Sequence, residues 1–170
     1  MDDIGELMSV GSDTSFLAFR GTVRELYNAV LGWTDSGLVA RVARGYKIEV
    51  LADLMNEVSP ALQFSYYFGE NWSAAQDCLN DMDWLPRGDG VVVAISDASQ
   101  VLSRDHVEDF ETLIRSLVSA MAIYSHPVNE GAWWDRPAVP FHVVLHFELD
   151  DVSGLDAWRA AGAVVVPMIH

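Results

Sequence analysis

The sequence predicts a single α/β unit in which a small, mainly parallel β-sheet is flanked by helices. Three observations lead there. Residues 90–95 (GVVVAI) form an uninterrupted apolar, β-branched run bounded by Gly88-Asp89-Gly90 and Ser96-Asp97, the pattern of a strand buried on both faces. On either side of that run, residues 48–62 and 105–121 repeat apolar positions at helical spacing, so helices alternate with strands and right-handed crossovers join them. The chain has 170 residues, 51% of them hydrophobic and 21% charged, which is enough to close one core and too apolar for disorder.

Residues 1–15 are polar and rich in Ser, Gly and Asp, and read as a frayed terminus. In 21–32, Val23, Leu26, Tyr27, Val30 and Leu31 recur at helical spacing, which predicts a short amphipathic helix packed on the body. Residues 37–43 (GLVARVA) alternate as a half-exposed first strand. Over 48–62, Leu51, Leu54, Met55, Val58 and Leu62 form one stripe, leaving Glu49, Asp53, Asn56 and Glu57 on an acidic outer side. Asp105 with Glu108 three residues on has the form of a capping box, and Val107, Phe110, Leu113, Ile114, Leu117, Val118 and Met121 carry a long helix. Residues 127–140 form a loop punctuated by Gly131, Pro137 and Pro140 that carries Trp133-Trp134. A third strand over 139–149, a short helix over 154–161 and a last strand over 163–168 complete the chain. The expected division is an N-terminal extension with one short helix over 1–36 and a main domain over 37–170, with its core at 37–149 and a C-terminal extension at 150–170.

The rest of the chain is organised around residues 64–86, FSYYFGENWSAAQDCLNDMDWLP. Gly69 permits a tight turn, and Asn71 or Ser73 can cap a helix running to about Asp83. On that helix Trp72, Ala75, Cys78, Leu79 and Met82 share an inward face, while Ser73, Asp77, Asn80, Asp81 and Trp84 share the other. Between Lys47 and Arg87 there is no Lys, Arg or His, whereas Glu49, Asp53, Glu57, Glu70, Asp77, Asp81 and Asp83 all fall in that window. Carboxylates beside Tyr66, Tyr67, Phe68 and Trp84 describe a recognition surface with a negative field, because Tyr and Trp are common anchors of protein interfaces.

Several functions are disfavoured by composition and spacing. Ten Lys plus Arg against 25 Asp plus Glu give a net charge of -15, which opposes direct binding to nucleic acid and favours a basic protein partner. Glu70 and Asp77 are about 10 Å apart in helical rise and have no accompanying nucleophile or phosphate loop, so the chain is not expected to be an enzyme. His142 and His146 would sit about 13 Å apart on a strand, too far to share a metal, and neither metal nor cofactor is expected. Cys78 lies on the inward helix face as an inert thiol and cannot form an internal disulfide. With an acidic start (MDDIGELM) and no apolar run long enough to span a bilayer, the expectation is a cytoplasmic protein.

The run YYFGENWSAAQDCL followed by DWLP resembles the signature of the barstar family of ribonuclease inhibitors, in which the helix after a Y-[YF]-G-E-N turn plugs a ribonuclease active site. The resemblance covers residues 37–147 in strand and helix order, and Trp133-Trp134-Asp135-Arg136-Pro137 is similar to longer bacterial members. It implies a barstar-like fold and an antitoxin-type inhibitor of a small basic ribonuclease or other basic toxin, bound one to one by a monomer. Asp77 takes the position of the family aspartate that enters the ribonuclease phosphate site, and Tyr67 and Gly69 match the loop that lies against the enzyme. Glu70 and Asp81 are assigned to steering, Trp84 to rim packing, and Asn71 and Ser73 complete the surface. The chain departs from the family at Ser73, where a second contacting aspartate is usual, at Gln76, where a tryptophan is usual, and at the end of the third helix, which carries no matching acid. The alternative is a module of the same fold whose partner is a different toxin or a regulatory protein.

Overall fold

The computed structural model describes residues 2–10, 14–66, 68–85 and 88–168. Among them, five strands form one sheet, and all its pairings are parallel. In chain order the elements are α1 (Asp2–Leu7), β1 (Phe16–Arg20), α2 (Val23–Asp35), β2 (Val39–Arg44), α3 (Leu51–Ala61), α4 (Trp72–Asn80), β3 (Val91–Ser96), α5 (Val107–Tyr124), β4 (Phe141–Phe147), α6 (Val152–Ala160) and β5 (Val165–Pro167). The strands lie in the order β2-β3-β4-β1-β5. As expected from its continuous apolar run, β3 sits inside the sheet, with Val92 against Ala40 on one side and His142 on the other.

Two apolar layers cover the sheet. On one face Leu26 and Trp33 of α2, together with Leu7 of α1, pack on Leu17, Phe19, Val92, Ala94 and Val144. On the other face Leu54 of α3, Leu79 of α4, Leu113 and Leu117 of α5 and Trp158 of α6 pack on Val93, Ile95, Val143 and Leu145. Trp158 is fully buried, and its indole N–H donates to the Ala98 carbonyl at 2.9 Å, so a large apolar body enters the core without an orphaned donor.

The N-terminal segment differs from its sequence expectation. Residues 2–7 are helical with Leu7 wholly buried, and 16–20 form a strand between β4 and β5 that the patterning did not predict. The α2 stripe also rotates: Leu26 and Trp33 are buried, whereas Val23, Tyr27 and Leu31 remain exposed along its flank.

Capping corrects two further expectations. Asp105 makes no capping box with Glu108; its carboxylate instead accepts the backbone N–H groups of Leu51 and His106, so it ties the start of α3 to the start of α5. Those bonds hold its carboxyl below the usual aspartate range. Glu57 does not lie on an open acidic face. It is buried, and both its oxygens take the Arg44 guanidinium at 2.7 and 2.8 Å while the Arg44 backbone N–H donates at 2.9 Å. The Arg44 pairing lowers its pKa in spite of desolvation.

His142 and His146 are both buried and structural. The His146 Nε2–H donates to the Gly21 carbonyl at 2.9 Å and Nδ1 accepts the Asp97 N–H at 3.1 Å, which joins the carboxyl ends of β1, β3 and β4.

Candidate partner-binding site

α4 starts where the Asn71 side chain accepts the Ala74 N–H at 3.0 Å; Asn71, not Ser73, is the cap. The Asn71 amide also donates to the Gly69 carbonyl at 2.9 Å, folding the turn back on itself. A Cβ at position 69 would stand 3.0 Å from that amide nitrogen, so a side chain there would press on the cap. The left-handed residue of the turn is Glu70, with φ +50°, rather than the glycine. The helix ends at Asn80, a turn earlier than the sequence suggests, with Asp81 as its C-cap.

Three contacts fix α4 alongside α5. At its first residue the Trp72 indole donates to Asp109 at 2.8 Å; midway the Gln76 amide donates to the Ser116 carbonyl at 3.5 Å; past its end the Tyr124 hydroxyl accepts the Met82 N–H at 3.0 Å and donates to the Asn80 carbonyl at 3.3 Å. The contacts advance in the same sense along both helices, so α4 lies parallel to α5 and is gripped from end to end. Ala75, Cys78 and Leu79 are buried beneath it, as the periodicity predicts, and Trp72 is half-buried. Burial raises the Cys78 thiol pKa, and Asp77 and Asp81 raise it further, which keeps the sulfur an inert thiol.

What remains outward is acidic. Gly69, Glu70, Asn71, Ser73, Asp77 and Asp81 are all exposed, on the turn, along α4 and at its C-cap. Among the described residues no Lys, Arg or His lies within ion-pair distance of Glu70, Asp77, Asp81 or Asp83. Two acids of the same sequence window are neutralised, Glu57 by Arg44 and Glu49 by Arg104; of the five that make no ion pair among the described residues, Asp53, Glu70, Asp77, Asp81 and Asp83, four lie on the turn, on α4 or just after it.

The aromatic residues divide between display and support. Tyr66 is fully exposed, at 101% of its reference area. Phe64, Phe68 and Trp84 form an edge-to-face group with centroids 5.0 and 6.3 Å apart, and the Trp84 indole donates to the Leu62 carbonyl at 3.0 Å. Trp84 is therefore half-buried beneath the turn. Tyr67 lies outside the described residues. Gln76 turns toward α5 and donates to Asn80 at 2.7 Å. Sequence reasoning missed Asp109, Ser116 and Tyr124 as the groups that position α4, and no local signal pairs them with a helix some forty residues earlier.

The sequence model of one family, described as Barstar (barnase inhibitor), matches residues 38–146, which is more than half of the chain and coincides with the stretch that carries the turn, α4 and the central strands. The chain belongs to the barstar family. Relative to the matched barstar segment, α1, β1 and α2 precede it, and α6 and β5 follow it, yet β1 and β5 enter the same sheet. No curated protein matches the chain. Among solved structures, one described as the Aeropyrum pernix ORC2 protein in ADPNP-ADP complexes is similar, with a TM-score of 0.60 at 11% identity over 98% of this chain. The chain spans 47% of that protein's length, and at such identity the likeness is one of fold.

Proposed function

We propose that this barstar-family protein inhibits a small basic ribonuclease by placing α4 in the enzyme's active site, where the Asp77 carboxylate takes the place of an RNA phosphate. The observation that carries this reading is the pairing of an exposed Asp77, with no cation within ion-pair distance among the described residues, with a helix held at three points along α5. A ribonuclease site gathers Arg, Lys and His donors around phosphate, and a fixed carboxylate accepts the same charge-assisted hydrogen bonds without being cleaved. Rigidity matters because little side-chain or backbone freedom is then lost on binding. Glu70 and Asp81 steer the basic enzyme, Tyr67 lies against it, and Trp84 holds the edge of the turn. Such a protein acts by binding alone and works in the cytoplasm, where the single thiol of Cys78 stays reduced. Among the described residues no helix is long and apolar enough to cross a membrane.

A second reading, a barstar-like module for another toxin or a regulatory protein, is favoured by one feature. Ser73 and Gln76 stand where the family resemblance implies an aspartate and a tryptophan, and Gln76 is engaged with Asn80 and α5. Nucleotide binding, which the similar solved structure's description mentions for that protein, is opposed here by the β1–α2 connection. The Glu25 carboxylate already occupies the start of α2, accepting the Thr22 N–H at 2.7 Å and hydroxyl at 2.8 Å, so a phosphate would meet a negative charge.

Titration of the protein against small basic ribonucleases, barnase among them, tests the proposal. The expected outcome is one-to-one loss of RNA cleavage that Asp77→Ala abolishes; inhibition that survives Asp77→Ala would exclude phosphate mimicry.

A further inference from the structure

The exposed Trp133-Trp134 pair is the largest aromatic feature that the α4 mechanism does not use. Trp133 is 88% exposed and Trp134 48%, with their rings edge to face at 5.5 Å. Leaving an indole in water is unfavourable, and here nothing loose accounts for it, because the loop is latched at each turn. Val128 and Arg136 exchange backbone hydrogen bonds at 2.8 and 3.1 Å. The Asp135 carboxylate accepts the Glu130 and Gly131 N–H groups at 2.8 and 2.9 Å, and the Trp134 indole donates to Glu130 at 2.8 Å.

The base of this loop joins the inhibitory helix. The Arg136 guanidinium lies 4.7 Å over the Tyr124 ring and donates to the Ile123 and His126 carbonyls at the end of α5. Tyr124 is the same residue whose hydroxyl holds Asn80 and Met82 at the end of α4. One aromatic ring is thus clasped by the Trp loop on its face and by the end of α4 at its hydroxyl.

We propose that Trp133 is a second anchor for the same basic partner: an arm on the loop whose base clasps Tyr124, the ring that also holds the end of α4, and which takes a Lys or Arg side chain, with its apolar stem, from the rim of the partner's cleft. This rests on the reading of α4 as the inhibitory element. A cation from such an enzyme is drawn by Asp81, Asp83 and Glu130 and completed by the indole face, the strongest of the aromatic faces for cations. Tryptophan on a latched loop also offers large contact area at small entropic cost, as at binding hot spots.

The test uses the full chain and whichever small basic ribonuclease of a panel, barnase included, it binds most tightly. Trp133→Ala is expected to weaken binding at least tenfold, chiefly through faster dissociation, with thermal unfolding unchanged, and a blue shift of tryptophan emission on binding should disappear with it. If Asp77→Ala abolishes binding while Trp133→Ala weakens it less than tenfold, the arm is overturned and the α4 mechanism stands. If no ribonuclease binds, or if neither substitution matters, the α4 mechanism falls and the arm with it. A Trp133→Ala change in the sedimentation coefficient of the free protein would assign the indole to self-association and overturn the arm.

Discussion

Asp77 and Glu57 are both carboxylates on helices of the same acidic stretch, and their surroundings give them opposite work. Asp77 keeps its charge exposed, whereas Glu57 spends its charge on Arg44 and locks the end of β2 to α3. Removing Glu57 as Glu57→Gln should cost about 1–3 kcal/mol, the lower part of the range for buried pairs because Arg44 is 45% exposed. Its depressed pKa sets the sign of the pH dependence: the stabilisation is complete above the ordinary glutamate value of about 4.3 and is lost as pH falls through the lower folded value. Urea unfolding from pH 6 to pH 3 should therefore show a smaller loss for Glu57→Gln than for the parent. Glu57 looked like one more outer acid in the sequence because its partner lies thirteen residues earlier, on a strand whose edge position no local pattern reveals.

At the scale of elements, α4 depends on its ends. Asn71→Ala removes the cap and should cost about 1 kcal/mol, with faster hydrogen exchange confined to the first turn of α4. Tyr124→Phe takes the hydroxyl from the Met82 N–H and the Asn80 carbonyl and should cost about 1–2 kcal/mol, loosening the other end and slowing productive docking, as denaturant midpoints and association rates would report. The inward face of α4, the long helix α5 and the buried strand β3 were legible because their apolar periods are regular. β1 was not: FLAFR is five residues and buried on both faces, so it shows no alternation, and an apolar run that short does not by itself separate strand from helix. The turn before α4 was legible in its composition, Gly69-Glu70-Asn71, but its left-handed residue is Glu70, while the Asn71 side chain fills the space beside Gly69.

For the whole molecule, the N-terminal segment and the barstar segment form one sheet. β1 separates β4 from β5, and His146 ties Gly21 to Asp97 across it. Deleting residues 1–36 should therefore leave β4 as an open edge and β5 without a neighbour, giving an aggregating product without a cooperative thermal transition. Charge is also a property of the whole: at -15, and with Glu70, Asp77 and Asp81 outside ion pairs among the described residues, association with a basic enzyme should slow at least tenfold between 20 mM and 500 mM salt while dissociation changes little. Composition alone announced that polarity, but that Glu49 and Glu57 spend their charge on Arg104 and Arg44 is a matter of the fold. The most direct test of the central claim is the dissociation constant for an inhibited small basic ribonuclease, measured for the parent and for Asp77→Ala. Phosphate mimicry by α4 predicts a loss of at least about 2 kcal/mol, some thirtyfold, together with the return of RNA cleavage; equal dissociation constants and undiminished inhibition would contradict it.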